Sequence, residues 1–405
     1  MRTGWIKRKL VDLTTKIGSG ATPLGGEANY KPEGTALIRS LNVHDTGFRR
    51  KDLAFIDDSQ AAALSNVVIH SGDVLLNITG ASIARCCMVP DNILPARVNQ
   101  HVSILRPSTS AILPRFLNLL LTAPQYKEGL LNKGEAGATR QALTKGMLEQ
   151  FEVAIPACLE EQKRILRMLD EAFEAIAAAK ANAEKNLQNA RAIFESYLQS
   201  AFAKRGNGCV EKRLDEVCTF SSGGTPSKSK RGFWNGNVPW ISGRDMKSTR
   251  LSDSLLHISQ SAVDQSSTRM APTGALLVLV RGMGLAHGAQ IAELMAPCAF
   301  NQDIRAIHPE PGLTPRYLLF ALRDRINSSG TVLSKAAHGT LKIDSSELQS
   351  LKIPVPSLQY QRGIVATIDS LAAETQRLES TFRQKLIALD ELKKSLLHQA
   401  FTGKL

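Results

Sequence analysis

Two short segments of the sequence contain residue types that could do chemistry. Residues 282–288 (GMGLAHG) follow an apolar run, which is the setting of a glycine-rich loop that cradles a dinucleotide. Their spacing differs from G-x-G-x-x-G and no clear amphipathic helix follows, so we interpret them as a loop that needs glycine's backbone freedom. Residues 391–393 (ELK) fit a nuclease-like E-x-K, but they lie in a long predicted helix, where Glu and Lys are ordinary solvent-facing residues.

Other enzymatic motifs are missing from the sequence. It contains no phosphate-binding G-x-x-x-x-G-K-[ST], no N-P-P or D-P-P tetrapeptide typical of amino-methyltransferases, no G-x-S-x-G and no H-E-x-x-H. The six cysteines form no C-x-x-C pair, which argues against a disulfide framework or a structural zinc and favours reduced thiols. A non-catalytic binding function is therefore favoured, and no cofactor or metal is expected on this chain.

The excess of positive charge points to a polyanionic partner. The chain holds 50 Lys and Arg against 37 Asp and Glu, a formal net charge of +13. Residues 1–155 hold 18 basic and 13 acidic side chains, and residues 206–355 hold 17 and 12, so each block carries a net +5. Two blocks of equal excess suit a polyanion that is contacted in two places. A basic protein with no such partner is the alternative that charge alone leaves open.

No segment of the sequence has the character of a membrane span or a secretory leader. Crossing a bilayer takes about 18 consecutive apolar residues, and no run approaches that length. The first nine residues are basic but lack an apolar stretch. We therefore expect a cytoplasmic protein with no membrane partner.

The elements that must position any binding residues occur twice in the chain, about 200 residues apart. We interpret the chain as a tandem duplication of a globular domain followed by a long helix. The predicted domains are residues 1–156 and 206–356, and the predicted helical segments are residues 157–205 and 357–405. The matched segments are residues 17–23 (IGSGATP) with 220–226 (FSSGGTP), 72–76 (GDVLL) with 274–278 (GALLV), 99–100 with 301–302 (both NQ), and 198–202 (LQSAF) with 397–401 (LHQAF).

Each globular block mixes strands and helices, so the predicted fold class is α+β. Short apolar runs that end at glycine are typical of buried strands, and proline in the first turn is typical of a helix start. The predicted elements are strands at residues 73–79, 102–105, 275–280 and 304–307, and short helices at residues 114–121 and 315–322.

Apolar residues recur at three- and four-residue steps through both helical segments, which is typical of a coiled-coil seam. Each helix runs for about 46 residues, or about 69 Å at 1.5 Å per residue, so a lone helix would expose its apolar stripe. Because the first helix leads from one block to the next and the second returns, we predict an antiparallel coiled coil with a globular domain near each end. The predicted seam includes Ile165, Leu169, Ile176, Ala183, Ala190 and Phe194 in the first helix and Ile364, Ile368, Leu389, Leu392 and Leu396 in the second.

Several motifs, taken in order, carry a resemblance to a known family. They are residues 213–217 (RLDEV) leading into 222–227 (SGGTPS), residues 238–246 (VPWISGRDM), residues 353–356 (IPVP) before Gln361, and the closing residues 397–405 (LHQAFTGKL). With these motifs and its two-copy organisation, the chain resembles the specificity (S) subunit of Type I restriction–modification systems. The likeness covers essentially the whole chain.

The resemblance implies a DNA-reading subunit without catalytic activity. Each globular block would be a target recognition domain that reads one half of an asymmetric, split site in double-stranded DNA. The helices would act as the spacer and as the dock for two methyltransferase (M) subunits, which hold S-adenosylmethionine. Nuclease and translocase (R) subunits, which use ATP, would join the complex to cut DNA.

Base reading needs directed donors on loops that can enter a groove, and most of the other cations would contact phosphates. The candidate DNA-binding residues in the first block are Arg39, Arg49, Arg50, Lys51, Arg85 and Arg140. Those in the second block are Lys228, Lys230, Arg231, Arg244, Lys247, Arg250, Arg281 and Lys342. For any one of them, a solvated surface charge is the alternative.

Two further sets of residues are predicted to be structural. Asn99-Gln100 and Asn301-Gln302 recur in both copies, whereas two unlike readers should differ, so we expect them to bond loop backbone. The tryptophans Trp5, Trp234 and Trp240 are interpreted as packing residues rather than platforms for stacked bases. Two other functions stay open: a free-standing sequence-specific DNA-binding regulator without enzyme partners, and a purely structural coiled-coil scaffold.

Overall fold

The computed structural model describes residues 4–23, 26–135, 142–203, 209–328, 333–335 and 341–405. The chain divides into two compact units. The first unit is Met1–Glu184 with Arg383–Leu405, and the second unit is Lys185–Phe382. This division falls inside both long helices, whereas the predicted boundaries at residues 156 and 356 separate each helix from its domain; those boundaries stay a prediction.

The first unit begins with strands and short helices and ends in a long helix. Its elements in chain order are β1 (Trp5–Lys9), α1 (Leu10–Leu13), β2 (Thr14–Ser19), β3 (Thr35–Ile38), β4 (Ala54–Ile56), α2 (Asp58–Ala63), β5 (Val74–Asn77), β6 (Cys86–Met88), β7 (Ala96–Val98), β8 (Val102–Pro107), α3 (Pro114–Thr122), α4 (Pro124–Glu135), α5 (Lys145–Glu149), β9 (Glu152–Pro156) and the long helix α6 (Leu159–Ala203), whose later part belongs to the second unit.

The second unit follows the same order with additional short strands, and one helix, α9 (Pro315–Ser328), stands where the first unit has α3 and α4. Its elements are β10 (Val210–Arg213), α7 (Leu214–Val217), β11 (Cys218–Ser222), β12 (Val238–Ile241), β13 (Arg250–Leu251), β14 (His257–Ile258), α8 (Gln260–Gln265), β15 (Arg269–Ala271), β16 (Leu276–Leu279), β17 (Ile291–Leu294), β18 (Cys298–Phe300), β19 (Ile304–Pro309), α9 (Pro315–Ser328), β20 (Leu333–Lys335), β21 (Leu341–Ile343), α10 (Ser345–Ser350), β22 (Lys352–Val355) and α11 (Leu358–Phe401), whose later part belongs to the first unit.

The sheets of the two units follow one plan. A two-stranded ribbon joins the beginning and end of each block, β1 with β9 and β10 with β22. The main antiparallel sheet has the order β2-β8-β5-β6 in the first unit; the second has β11-β19-β16-β17 and adds β13, parallel to β17. A smaller mixed sheet contains one parallel pair, β3 with β7 and β12 with β18. The predicted α+β class and tandem duplication are confirmed.

The central strand of each main sheet is buried on both faces. All four residues of β5 and all four of β16 are buried. Their neighbours β8 and β19 are the predicted partner strands, and α3 and α9 begin at the predicted prolines. Continuous apolar runs of this kind stabilise the strand by burial on both faces, which is why the sequence alone located them.

The two long helices pack against each other in both units. In the first unit, Lys180 forms an ion pair with Asp390, and the Lys393 ammonium lies 4.8 Å from the Phe173 ring centroid. In the second unit, Arg191 pairs with Glu379 at 2.7 Å. Residue numbers fall along one helix as they rise along the other, so the predicted antiparallel coiled coil is confirmed.

The seam differs from the prediction at one position. Leu392 was expected on it but is 46% exposed. The half-buried Lys393 takes its place, and its ammonium lies over the Phe173 ring of the other helix.

Each helix is fixed to a globular block by a buried glutamine and a terminal phenylalanine. Gln162 and Gln361, near the helix starts, are fully buried and bond loop backbone. At the helix ends, Phe401 packs on Phe116 of the first unit with centroids 5.1 Å apart. Phe202 packs on Tyr317 of the second unit at 5.4 Å. The repeated L-x-x-A-F ending of the two helices is therefore a core anchor.

Candidate nucleic-acid interface

Four loops of the first unit meet at one place, which we call the loop junction. Three backbone hydrogen bonds hold them. The Asn99 N–H donates to the Ile38 carbonyl (3.1 Å), the Ile78 N–H to the His101 carbonyl (3.0 Å) and the Leu143 N–H to the Ile78 carbonyl (2.8 Å). Loops fixed in this way present their side chains from a rigid frame, as a recognition surface requires.

The second unit contains the same junction at matched positions. The Asn301 N–H donates to the Ile241 carbonyl (3.0 Å), the Val280 N–H to the Asp303 carbonyl (2.8 Å) and the Ile343 N–H to the Val280 carbonyl (2.8 Å). All three bonds have a counterpart in the first unit. The backbone frame of the loop junction is therefore a property of the duplicated fold.

The repeated Gly-x-Thr-Pro motif locks this frame. A Cβ on Gly20 would lie 1.6 Å from the Val98 carbonyl oxygen, and one on Gly223 would lie 2.3 Å from that of Phe300, so a side chain at either site would clash with backbone. The threonine two residues later, Thr22 or Thr225, donates its hydroxyl to the amide oxygen of Gln100 or Gln302.

The asparagines of the repeated Asn-Gln pair are structural, as predicted. The Asn99 side-chain oxygen accepts from the His101 N–H, and that of Asn301 accepts from the Asp303 N–H, both at 3.1 Å. Both asparagines are buried, and each closes the turn that leads into β8 or β19. Trp5 and Trp240 are buried packing residues as predicted; Trp234 is half-buried and packs edge-on against Trp240.

The side chains on the shared frame differ between the two units. In the first unit the Thr79 hydroxyl lies 2.6 Å from Nδ1 of His101, so this junction carries a hydroxyl and an imidazole. In the second unit the matched positions hold Arg281 and Asp303. The backbone β-bridge between Arg281 and Lys342 matches the one between Thr79 and Ala142 in the first unit. One backbone frame thus presents two different sets of donors and acceptors. The matched pairs are Leu41 with Arg244, Thr79 with Arg281, His101 with Asp303 and Ala142 with Lys342.

A buried asparagine that sequence reasoning missed organises the basic loop of the first unit. The side-chain nitrogen of Asn42 donates to the carbonyls of Arg49 (2.9 Å) and Lys51 (3.2 Å), and its oxygen accepts from the Arg39 N–H (3.1 Å). Arg49, Arg50 and Lys51 are exposed on this loop. Asn42 therefore fixes the backbone from which three candidate cations project.

Asp245 is the counterpart of Asn42 in the second unit. Its carboxylate accepts from the Ser242 N–H and hydroxyl and from the Leu255 N–H, all at 2.8 Å. Arg244 and Lys247 are exposed beside it. Positions 42 and 245 both hold a short polar residue four residues after the matched strand ends, Ile38 and Ile241, and this is the signal that could reveal the role from the sequence.

The other three candidates of the first unit are Arg39, Arg85 and Arg140, and the two that the structure describes do not lie on the basic loop. The Arg39 guanidinium donates to Glu27 (2.6 Å) and to the Asp52 carbonyl (2.7 Å), and its side chain is only 15% exposed. The half-buried Arg85 lines an open pocket of about 440 Å³ with Thr79 and His101. Arg140 lies outside the described residues.

Four of the eight candidates in the second unit line two pockets that share Arg244. Lys228, Arg231 and Arg244 line one, and Arg244 and Lys247 line the other. The exposed Lys230 lies over the Phe233 ring, 4.8 Å from its centroid. Arg250 faces elsewhere, because its guanidinium lies 3.4 Å from Asp369 on α11.

The carboxylate near Lys342 is held as an anion. Hydrogen bonds from the Ser346 hydroxyl and backbone N–H, with the charge of Lys342, lower the pKa of Asp344. Lys342 Nζ lies 3.9 Å from this carboxylate, so the pair is loose and the ammonium is only partly neutralised.

No metal centre or membrane helix is found among the residues that the structure describes. No group of three or more His, Cys, Asp or Glu side chains there could hold a metal ion. In that same part of the chain, no helix has both the length and the apolarity to cross a membrane. Burial raises the pKa of the Cys87 and Cys298 thiols to about 11, so both stay protonated.

Comparison with known proteins identifies relatives of both halves. The sequence profile of the Type I restriction modification DNA specificity domain matches residues 3–187 and again residues 207–387. The chain is 33% identical over 219 residues to the EcoR124I/EcoR124II specificity subunit of Escherichia coli. That alignment covers 54% of this chain and 53% of the relative, so the chain spans about half the length of this curated relative.

Two solved structures share the fold. A chain solved in work on complex assembly and conformational transition of the type I R-M system superposes with a TM-score of 0.79 at 20% identity, covering 100% of this chain and 99% of that one. The HsdS subunit from Thermoanaerobacter tengcongensis gives 0.63 at 20% identity, covering 100% and 98%. The family profile matches most of the chain, once in each half. The chain therefore belongs to the Type I restriction modification DNA specificity family.

Proposed function

We propose that this chain is the non-catalytic DNA-recognition subunit of a Type I restriction–modification complex. Each unit would read one half of a bipartite, non-palindromic site in double-stranded DNA. The observation that carries this proposal is the loop junction, whose three backbone hydrogen bonds recur in both units while its side chains differ. Two readers with one frame and different donors would select different bases.

The chemistry of the two junctions suits different half-sites. A guanidinium such as that of Arg281 can bind guanine O6 and N7 together, and a carboxylate such as that of Asp303 can accept from cytosine N4. In the first unit, Thr79 offers a hydroxyl and His101 an imidazole at the matched positions. The surrounding exposed cations would contact phosphates, which gives affinity that falls as salt rises.

We further propose that the enzymes and their cofactors lie on other subunits. Two methyltransferase subunits that hold S-adenosylmethionine would dock on the paired helices, and nuclease and translocase subunits that use ATP would complete the complex. The chain itself would bind no cofactor. Co-purification with a methyltransferase supports this assignment, whereas a soluble chain that binds its site alone and recruits no partner would be a free-standing regulator.

In this proposal the paired helices set the spacer between the half-sites. Four extra residues add about 6 Å to a helix, close to the rise of two base pairs. Inserting them at the unit boundary of both helices, after Glu184 and after Phe382, keeps the seam of each unit in register. We expect the methylated motif to keep its bases and lengthen its spacer by about two positions.

The control carries the same four residues in the exposed loop at Thr109, where the spacer should stay unchanged. Sequencing of methylated sites in cells that make the complete complex reads both results. A spacer that stays constant in the paired-helix variant would contradict the role of the helices.

A further inference from the structure

An open aromatic pocket of about 530 Å³ lies in the second unit, near β12. Trp234, Trp240 and Leu256 contribute apolar surface to it. Three cations, Lys228, Arg231 and Arg244, stand at the same pocket and are exposed. An apolar floor with a cationic rim is suited to an apolar group on a polyanion.

The two indoles offer carbon surface to this pocket. Their rings meet edge-to-face, with centroids 5.0 Å apart and an interplanar angle of 84°. The Trp240 N–H donates to the Gly224 carbonyl (3.0 Å), and the Trp234 N–H donates to the Ser227 carbonyl (3.2 Å). Because both indole donors are engaged within the unit, the indoles can select a ligand by apolar contact and not by donating a hydrogen bond.

The pocket wall is formed by a side chain that the first copy does not have. Leu256 is 49% exposed, and its carbonyl accepts from the backbone N–H of Trp240 (2.9 Å). In the first unit, Leu37 matches Trp240 and Ala54 matches Leu256. Leu37 and Ala54 face each other in the β3–β4 ladder, and both are buried. The exposed apolar wall is thus particular to the second reader.

We infer that this pocket binds the C5-methyl groups of thymine in the half-site read by the second unit, an inference that rests on the proposed function. Thymine is the base that presents an apolar group in the major groove, and side chains read it by apolar contact. The cations at the pocket match the phosphates on either side of such a base. Leu256 and Trp234 are then specificity-determining residues that act without hydrogen bonds.

The test replaces thymine by deoxyuridine, which removes the methyl group and nothing else. Duplexes carry the methylated motif of the complete complex, with deoxyuridine in one half-site at a time. Burial of one methyl-sized group is worth ~0.8 kcal/mol, so each methyl in the pocket should tighten binding about fourfold. We expect this penalty in the half-site that the second unit reads.

The variant Leu256→Ala, combined with the deoxyuridine duplexes, completes a double-mutant cycle between the leucine side chain and the thymine methyl group. It should weaken binding to the thymine duplex and lose the deoxyuridine penalty in one half-site, while the other half-site responds as in the natural chain. That unchanged half-site also reports that the variant is folded. The matched control is Leu255→Ala, a neighbouring exposed leucine that lines the adjacent pocket, and it should keep the full penalty.

Two results would overturn the inference alone. One is a deoxyuridine penalty that Leu256→Ala leaves intact in both half-sites, and the other is an equal loss on thymine and deoxyuridine duplexes, which marks a sugar–phosphate contact. If the complex prefers no DNA sequence at all, the proposed function fails as well, so the two failures are distinguishable.

Discussion

The buried glutamine at the start of each long helix offers a prediction whose size follows from its contacts. Gln361 is fully buried and makes four side-chain hydrogen bonds. Its amide nitrogen donates to the carbonyls of Gly312 (2.8 Å) and Pro356 (2.9 Å), and its oxygen accepts from the N–H (2.8 Å) and hydroxyl (3.1 Å) of Thr314. It thereby fixes α11 to the loop before α9 and to the end of β22.

Replacing Gln361 by Ala leaves those backbone groups buried without partners. A net value of about 1 kcal/mol per bond, with partial relaxation, gives a loss of about 3 kcal/mol in the free energy of unfolding. For a unit of this size, that corresponds to a fall of about 6–12 °C in the melting temperature. Gln361→Glu should lose as much, because a carboxylate cannot donate to the two carbonyls.

The first copy supplies a graded comparison. Gln162 makes three such bonds, at 3.0, 3.1 and 3.4 Å, so Gln162→Ala should cost about 2 kcal/mol. Gln359 is exposed in the same turn as Gln361, and Gln359→Ala should change little. Calorimetry with hydrogen exchange assigns each transition to its unit. A loss below about 0.5 kcal/mol for Gln361→Ala, or no difference from Gln359→Ala, would refute the reasoning.

Two other substitutions test recognition and burial. Arg281→Ala should relax the specificity at one base pair of one half-site, a loss of discrimination of about 1–3 kcal/mol. Arg250→Ala is the control and should leave the motif unchanged, because the guanidinium of Arg250 faces Asp369. Equal weakening by Arg281→Ala on cognate and random DNA would identify a phosphate contact instead. Burial raises the pKa of Asp324; the charge of Arg325 opposes this shift and that of Glu195 adds to it. The charged form is therefore disfavoured in the folded state, and stability is lost as pH rises through the folded-state pKa. Asp324→Asn should therefore raise the urea midpoint more at pH 7 than at pH 4, and an equal or negative change at pH 7 would contradict this.

The sequence predicted the elements whose patterns are local. The apolar runs of β5 and β16 and the prolines that start α3 and α9 are visible within a few residues. The coiled coil was predictable because its seam repeats over many turns. The seam residue between Leu389 and Leu396 could not be predicted, because both Leu392 and Lys393 fit the spacing. The Phe173 ring beneath Lys393 decides between them.

The candidate site was less predictable, because its contacts join loops that are distant in sequence. Arg39 has the same residue type as Arg49, and nothing local shows that Glu27 and the Asp52 carbonyl come to its guanidinium. Asn42 has no motif of its own, and its role emerges only from the loop that it holds. The comparison of the two copies would have helped most, since Asp245 occupies the matched position and performs the same task.

The most direct test of two unlike readers on one duplicated fold is the set of sites methylated in cells that make the natural chain with its methyltransferase subunits. We predict a single motif in two parts, with different bases in each part and a constant number of unspecified positions between them. A continuous motif, or two parts that are inverted copies of each other, would contradict it.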